Sequence, residues 1–218
     1  MSHLAAVNRP HWLFLRRLLK WTLGPVARWG KGLRVEGAER LPQRREPLIL
    51  AVNHAAFIDS VYLIFALRPR FVVCGAKPRL FRNGRLRSLM ALANILRVES
   101  HDQYLADCGA LAKAGEILLI YPEMGRFPEG LGPFKTWAAE VALTHGVPLL
   151  PCYLYGTTRG QGGPPCLHVG HRLEASGSPE TFTAELRRAV LDLAPPGSNP
   201  EGGVEGTPAT SPVGGANP

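Results

Sequence analysis

The sequence has only four cysteines in 218 residues, and no two of them form a CxxC pair. This excludes a disulfide-stabilised miniprotein and indicates a reduced, cytosolic location. The first residues also lack the cationic, apolar and small-residue pattern of a secretory signal. No apolar run reaches the ~18 to 20 residues that a membrane-spanning helix needs. We therefore do not expect the chain to cross a bilayer by itself.

Acidic residues are missing from a long central stretch. None lies in residues 60–98, which carry eight lysines and arginines, and residues 1–50 carry ten against three glutamates. The formal net charge is +8. Such a surface favours an anionic partner, which is nucleic acid, an anionic membrane or a phosphorylated small molecule. The interleaved aromatics and RNP-like strands of an RNA-binding domain are absent, so we expect no nucleic-acid partner.

Residues 11–26 (HWLFLRRLLKWTLGPV) have the pattern of an amphipathic helix. Arg16, Arg17 and Lys20 fall within a sector of about 100°, and a tryptophan lies near each end. The helix is either interfacial or packed on the protein's own core, and the combination of arginine and tryptophan favours the headgroup layer of a membrane. We assign residues 1–33 to a membrane-interface helical segment.

Short apolar runs alternate with helix-like stretches along the rest of the chain. Strands are predicted at 48–52, 71–73, 117–121, 149–154 and 166–169, helices at 60–67, 86–93, 104–114, 134–145 and 179–193, and turns at 35–37 and 41–42. This order predicts a single α/β domain over residues 34–194, with a largely parallel or mixed sheet flanked by helices. Residues 195–218, rich in Pro and Gly, are predicted to be a disordered tail.

Two polar clusters follow predicted strands. In Asn53-His54-Ala55-Ala56-Phe57-Ile58-Asp59, a turn could bring the aspartate to one imidazole nitrogen and leave the other as a general base. The same pair could merely cap the turn. In residues 121–130 (YPEMGRFPEG), Glu123 could orient Arg126 towards a phosphate. An exposed ion pair in a surface loop would give the same pattern.

The order of these motifs is more specific than either alone. NHxxxxD at 53–59, YPEMGRF at 121–127, GLGPFK at 130–135 and VPLLP at 147–151 together resemble the glycerophospholipid acyltransferase superfamily, in particular bacterial 1-acylglycerol-3-phosphate acyltransferases. The resemblance covers roughly residues 35–156. Met124 and Gly125 replace the Gly-Thr pair of the usual FPEGTRS motif. Arg97, the candidate for the second-motif arginine, comes a few residues early.

The resemblance implies an O-acyltransferase in which His54, oriented by Asp59, takes a proton from the acceptor hydroxyl as it attacks an acyl thioester. It also implies substrate-binding roles for Arg97, Glu123, Gly125, Arg126 and Lys135. Acyl-CoA or acyl-ACP would be a co-substrate, with no bound cofactor. The histidine spacing implies no metal site. The expected partners are a lysophospholipid acceptor and an anionic membrane surface, with the protein peripheral on the cytoplasmic face.

Two other functions are compatible with the charge pattern. A catalytically inactive, basic membrane-binding protein would keep the cations without needing His54 and Asp59. A lipid hydrolase would need a serine nucleophile, and no GxSxG motif is present. The acceptor also stays open between lysophosphatidic acid, another lysophospholipid and an amino-acid-derived lysolipid.

Overall fold

A computed structural model of the chain describes residues 32–42, 46–67, 72–82, 95–158, 163–196, 198 and 200. Most of the predicted membrane-interface segment, the predicted helix at 86–93 and the tail beyond residue 200 lie outside these ranges. Among the described residues, no helix is both long enough and apolar enough to cross a membrane.

Within the described residues, seven strands form one mostly parallel sheet, as the alternating pattern predicts. They are β1 (Arg34–Glu36), β2 (Leu48–Val52), β3 (Val72–Ala76), β4 (Ile95–Arg97), β5 (Ile117–Ile120), β6 (Leu149–Tyr155) and β7 (Cys166–Val169). Their order across the sheet is β1-β7-β6-β2-β5-β3-β4. All neighbours are parallel except β6 and β7, which are antiparallel. The domain is therefore α/β with a mixed sheet.

In the part of the chain that the structure describes, four α-helices pack against the sheet. They are α1 (Asp59–Ala66), α2 (His101–Lys113), α3 (Trp137–His145) and α4 (Pro179–Leu191). Serine side chains cap two of them: Ser100 accepts a hydrogen bond from the backbone of Gln103, and Ser178 forms a capping box with Thr181. These contacts satisfy amide groups that the first turn of a helix leaves without partners.

The central strand β2 is buried along its whole length because helices cover both faces of the sheet. Ile49 and Ala51 point into the core that includes residues of α2, α3 and α4, whereas Leu48, Leu50 and Val52 point into the core beneath α1. Alternation along a strand requires this division. The residues that follow β2 therefore emerge at the centre of the sheet's carboxyl edge.

Edge strand β1 and the start of helix α3 differ from the sequence prediction. Arg34–Glu36 forms β1, although residues 35–37 carry a turn signal, and only Gly37, at φ 76°, has a left-handed conformation. Strand β1 exists because it pairs with β7, more than 130 positions later in the chain. Helix α3 begins at Trp137 rather than Phe134, because the Lys135 amide donates to the Pro122 carbonyl at 2.8 Å.

The first described residues of the predicted tail contact the domain. The Pro200 carbonyl accepts a hydrogen bond from the Leu131 amide at 2.5 Å. The Ser198 side chain donates to the Pro195 carbonyl at 2.7 Å. The beginning of the segment 195–218 thus lies against the core next to the loop that precedes α3.

Candidate active site

Two loops meet at the carboxyl edge of the sheet. Strands β2 and β5 are parallel neighbours with Ala51 paired to Ile120, so the segments that follow them emerge side by side. These segments contain the Asn53–Asp59 motif and the loop beginning at Tyr121. In α/β proteins this edge is the usual place for a ligand cleft.

Asn53 fixes the start of the first loop. Its amide nitrogen donates to the Leu154 carbonyl at 3.1 Å, and its Oδ1 accepts from the Leu154 amide at 2.6 Å. The side chain is 3% exposed. Its two hydrogen bonds to the Leu154 backbone extend the hydrogen-bond ladder between β2 and β6 by one position. This clamp holds His54 at a defined position.

The side chains of His54 and Asp59 form a hydrogen bond. Nδ1 of His54 lies 2.9 Å from Oδ2 of Asp59. The same oxygen accepts from the amides of Ala55 and Ala56, each at 2.8 Å. The chain therefore wraps around the carboxylate, which explains how residues five apart can meet. Asp59 therefore holds Nδ1, and Nε2 lies on the other side of the imidazole ring.

An aromatic ring supports the imidazole from one side. Tyr121 stacks on His54 with ring centroids 4.0 Å apart and planes 14° apart. The Tyr121 hydroxyl lies 2.9 Å from Oγ of Ser60, and burial holds the pKa of the phenol well above its usual 10.0. The tyrosine is therefore a neutral platform that is itself fixed by a hydrogen bond. It restricts the orientation of the His54 ring.

Glu123 joins the two loops, and this corrects the prediction that it orients Arg126. Its Oε2 accepts from the His54 amide at 2.6 Å and its Oε1 from the Gly132 amide at 2.9 Å. The carboxyl group is thus directed inward and is 4% exposed. Burial raises its pKa from 4.5 to about 8, although the two backbone hydrogen bonds act in the opposite direction. A buried acceptor of two amides sets the spacing between loops rather than the direction of a guanidinium.

Backbone contacts also hold the rest of the loop that begins at Tyr121 against the turn at His54. The Phe127 amide donates to the His54 carbonyl at 2.8 Å. Met124 has a φ of 51°, a left-handed conformation that non-glycine residues adopt at a cost. Its position is the one at which the usual motif has glycine. A side chain at Gly125 would place Cβ 3.3 Å from the Phe127 ring, so this glycine suits the close packing of the loop.

The predicted cations occupy two different places. Arg126 and Lys135 are exposed and belong to the loop that touches His54. Arg97 ends β4 at the edge of the sheet, and its Nε lies 2.7 Å from the Glu99 carboxylate. Strand β4 is three strands from β2, which corresponds to roughly 14 Å. The structure therefore brings Arg126 and Lys135 beside the His54 loop but leaves Arg97 at a distance.

Several contributors to the site have no signal in the sequence pattern. Tyr121 and Ser60 are recognisable only once β5 and α1 are placed next to each other. The Asn53 clamp likewise joins residues that are 101 positions apart. A tyrosine where the usual motif begins with phenylalanine is the one sign that could have pointed to the contact with Ser60.

Known proteins are similar to this chain in sequence. The protein-family profile described as Acyltransferase matches residues 32–155. A chloroplastic 1-acyl-sn-glycerol-3-phosphate acyltransferase from Brassica napus is 32% identical over 129 residues, which are 56% of this chain and 37% of that protein. A 1-acyl-sn-glycerol-3-phosphate acyltransferase from Haemophilus influenzae is 26% identical over 201 residues, with 83% of each chain covered.

The fold also has a counterpart among solved structures. The 1-acyl-sn-glycerophosphate (LPA) acyltransferase PlsC from Thermotoga maritima matches with a TM-score of 0.63 at 17% identity, over 82% of this chain and 79% of that one. Relatives differ in length. This chain spans only 37% of the Brassica napus protein and 42% of a Chlamydomonas reinhardtii relative.

Proposed function

The chain belongs to the Acyltransferase family, within the glycerophospholipid acyltransferase superfamily, and on this basis we propose that it acylates a lysophospholipid. The reaction moves a fatty acyl group from acyl-CoA or acyl-ACP to a free hydroxyl of an acceptor such as 1-acylglycerol-3-phosphate. The observation that carries the proposal is the 2.9 Å hydrogen bond between His54 and Asp59 at the end of a buried strand.

The proposed chemistry needs one proton shuttle. Nε2 of His54 takes the proton of the acceptor hydroxyl as its oxygen attacks the thioester carbonyl, and Asp59 stabilises the imidazolium that forms. When the tetrahedral intermediate collapses, the carbon–sulfur bond breaks and the imidazolium returns the proton to the departing thiolate. The products are an ester and a free thiol, and no covalent bond to the protein is formed.

The proposed anion site lies at the rim of the second loop. Arg126 and Lys135 are both exposed there, and Phe127, next to Arg126, hydrogen-bonds the His54 backbone. The acceptor phosphate and its reacting hydroxyl belong to one small molecule, so a cation close to His54 suits the phosphate. A guanidinium can bind two phosphate oxygens through parallel hydrogen bonds. Glu123 contributes by holding this loop against the His54 turn.

An assay with both donors tests the proposal. The protein is given radiolabelled acyl-CoA or acyl-ACP with and without 1-acylglycerol-3-phosphate. We expect labelled phospholipid and free thiol in equal amounts, formed only when the acceptor is present. Thiol release without acceptor would instead indicate a hydrolase. Lysophospholipid binding without turnover from either donor would indicate an inactive membrane-binding protein.

Arg126→Ala is expected to weaken acceptor binding more than it slows turnover. Loss of a charge-assisted contact to phosphate should raise the KM for 1-acylglycerol-3-phosphate by about 10- to 100-fold, corresponding to the ~1.5–3 kcal/mol of such hydrogen bonds, with a smaller change in kcat. Steady-state kinetics measures both constants. The control is Arg188→Ala, which removes an exposed cation from α4. An unchanged KM in Arg126→Ala would remove this residue from the anion site.

We also propose that the rim of the site faces an anionic membrane, from which the acceptor enters. The supporting observation is that Phe57 and Ile58 are 59% and 41% exposed, although they lie within the turn between His54 and Asp59. Large apolar side chains beside surface cations suit the boundary between headgroups and acyl chains. The predicted segment at residues 11–26 would add to this contact.

Replacing both Phe57 and Ile58 by serine should reduce co-sedimentation with anionic liposomes severalfold, because the variant loses apolar area that enters the interface. Activity towards acceptor presented in liposomes should fall in parallel. Activity towards a water-soluble, short-chain acceptor is the control and should be retained. Unchanged sedimentation would place the membrane contact elsewhere in the chain.

A further inference from the structure

A mixed group of side chains lies on edge strand β1 and its neighbour β7, with β1 three strands from β2. Strands β1 and β7 are parallel, with Arg34 paired to Cys166 and Glu36 paired to His168. Since side chains alternate along a strand, Cys166, His168 and Glu36 share one face. Leu167 and Val169 point into the core beneath α1, so this face is the opposite one.

The side chains of Glu36, Cys166 and His168 lie close together. Nδ1 of His168 lies 3.2 Å from Oε2 of Glu36, and the Cys166 thiol belongs to the same group. One ligand atom from each residue can be chosen so that all three lie within 4.8 Å of one another. Two ligands of a tetrahedral zinc ion, with bonds of 2.0–2.1 Å, are about 3.3 Å apart. The distance between His168 Nδ1 and Glu36 Oε2 fits this value. A movement of the Cys166 side chain by about 1 Å would bring its sulfur within bonding distance of a zinc ion at this position.

The donors and charges also suit a divalent transition metal. Thiolate, imidazole and carboxylate are the ligand types that zinc takes in proteins, and three of them leave a fourth position for water. Arg34 is the cation closest in register, but a dication bound to one thiolate and one carboxylate is neutral, so Arg34 does not oppose it. Cys166 and His168 are half-buried, which limits the competition from bulk water.

We propose that Glu36, Cys166 and His168 form a binding site for a divalent transition-metal ion of the zinc type. On binding, the Cys166 thiol releases its proton to solvent and its sulfur bonds the metal. The ion would join β1 to β7. Among the described residues β1 pairs with β7 alone, so this link would fasten that edge of the sheet. Histidine spacing along the sequence gives no sign of the site, since the ligands come from two strands.

Titration of the reduced, EDTA-treated full chain with Co²⁺ tests the proposal. A thiolate ligand produces an ultraviolet sulfur-to-cobalt charge-transfer band, and tetrahedral coordination produces visible bands. We expect both, saturating at one equivalent, with Zn²⁺ displacing Co²⁺. Zinc at about a hundredfold excess over its dissociation constant should raise the melting temperature by roughly 5–10 °C.

Matched variants decide whether these three residues are the ligands. Cys166→Ser should remove the charge-transfer band, and His168→Ala and Glu36→Gln should each weaken binding at least tenfold. His171→Ala and Glu174→Gln remove a nearby exposed histidine and glutamate outside the cluster and should bind as the unmodified chain does. No charge-transfer band at millimolar Co²⁺, or a band that persists in Cys166→Ser, would overturn the proposal.

Discussion

His54→Ala should lower the rate of acyl transfer by about 10²- to 10⁴-fold, the range that a positioned general base contributes. The variant keeps Asp59 and the loop cations, so substrate binding should change much less than kcat. Single-turnover measurements with saturating donor and acceptor report the chemical step directly. Circular dichroism and the melting temperature check that the fold is retained, because the imidazole also packs on Tyr121.

His171→Ala is the control for this experiment, since it removes an exposed histidine outside the site. It should retain full activity. A His54→Ala protein that is folded and turns over at the unmodified rate would contradict the general-base mechanism. Slow turnover caused by unfolding would instead appear as a lowered melting temperature.

The free energy of unfolding should fall by on the order of 3 kcal/mol as pH rises from 5 to 7.5, owing to Glu123 alone. Its carboxyl has a pKa of about 8 in the folded protein, against an ordinary value of 4.5, because the group is buried. Between pH 4.5 and about pH 8, Glu123 is protonated in the folded protein but ionised in the unfolded protein. Raising the pH therefore favours unfolding until the folded-state pKa is passed, and below pH 4.5 the effect is flat.

Denaturant unfolding of the unmodified chain and of Glu123→Gln isolates this contribution. Glutamine does not titrate, so the stability difference between the two proteins should shift steadily in favour of the variant from pH 5 to 7.5. Glu129→Gln, in an exposed part of the same loop, should follow the unmodified chain throughout. A difference that stays constant with pH would show that Glu123 is already ionised in the folded protein.

The strands that the sequence predicts well are those with continuous apolar runs. β2, β5 and β6 lie in the middle of the sheet with both faces covered, and burial alone makes them recognisable. β1 and β4 have three residues each and lie at the two edges. Their residues carry no periodic signal, because what makes them strands is a partner distant in sequence.

In the candidate site, too, the sequence predicts the local contact but not the contacts between residues distant in the chain. The motif at 53–59 predicts the His54–Asp59 pair because the turn that joins them is local. Glu123 stands three positions before Arg126, and this spacing suggests an ion pair. Its carboxylate instead accepts from an amide 69 residues earlier and another nine residues later. Local spacing cannot distinguish a carboxylate that turns outward from one that is held by backbone groups of two loops.

The pairing of β1 with β7 has a consequence for synthesis. Arg34 and Cys166 are partners, yet about 130 residues separate them. At roughly 5–20 residues per second, the ribosome needs about 7 to 26 seconds to produce that interval. During this time the nascent chain has β1 but not the strand that receives it. Edge strand β1 is therefore among the last parts of the sheet to dock.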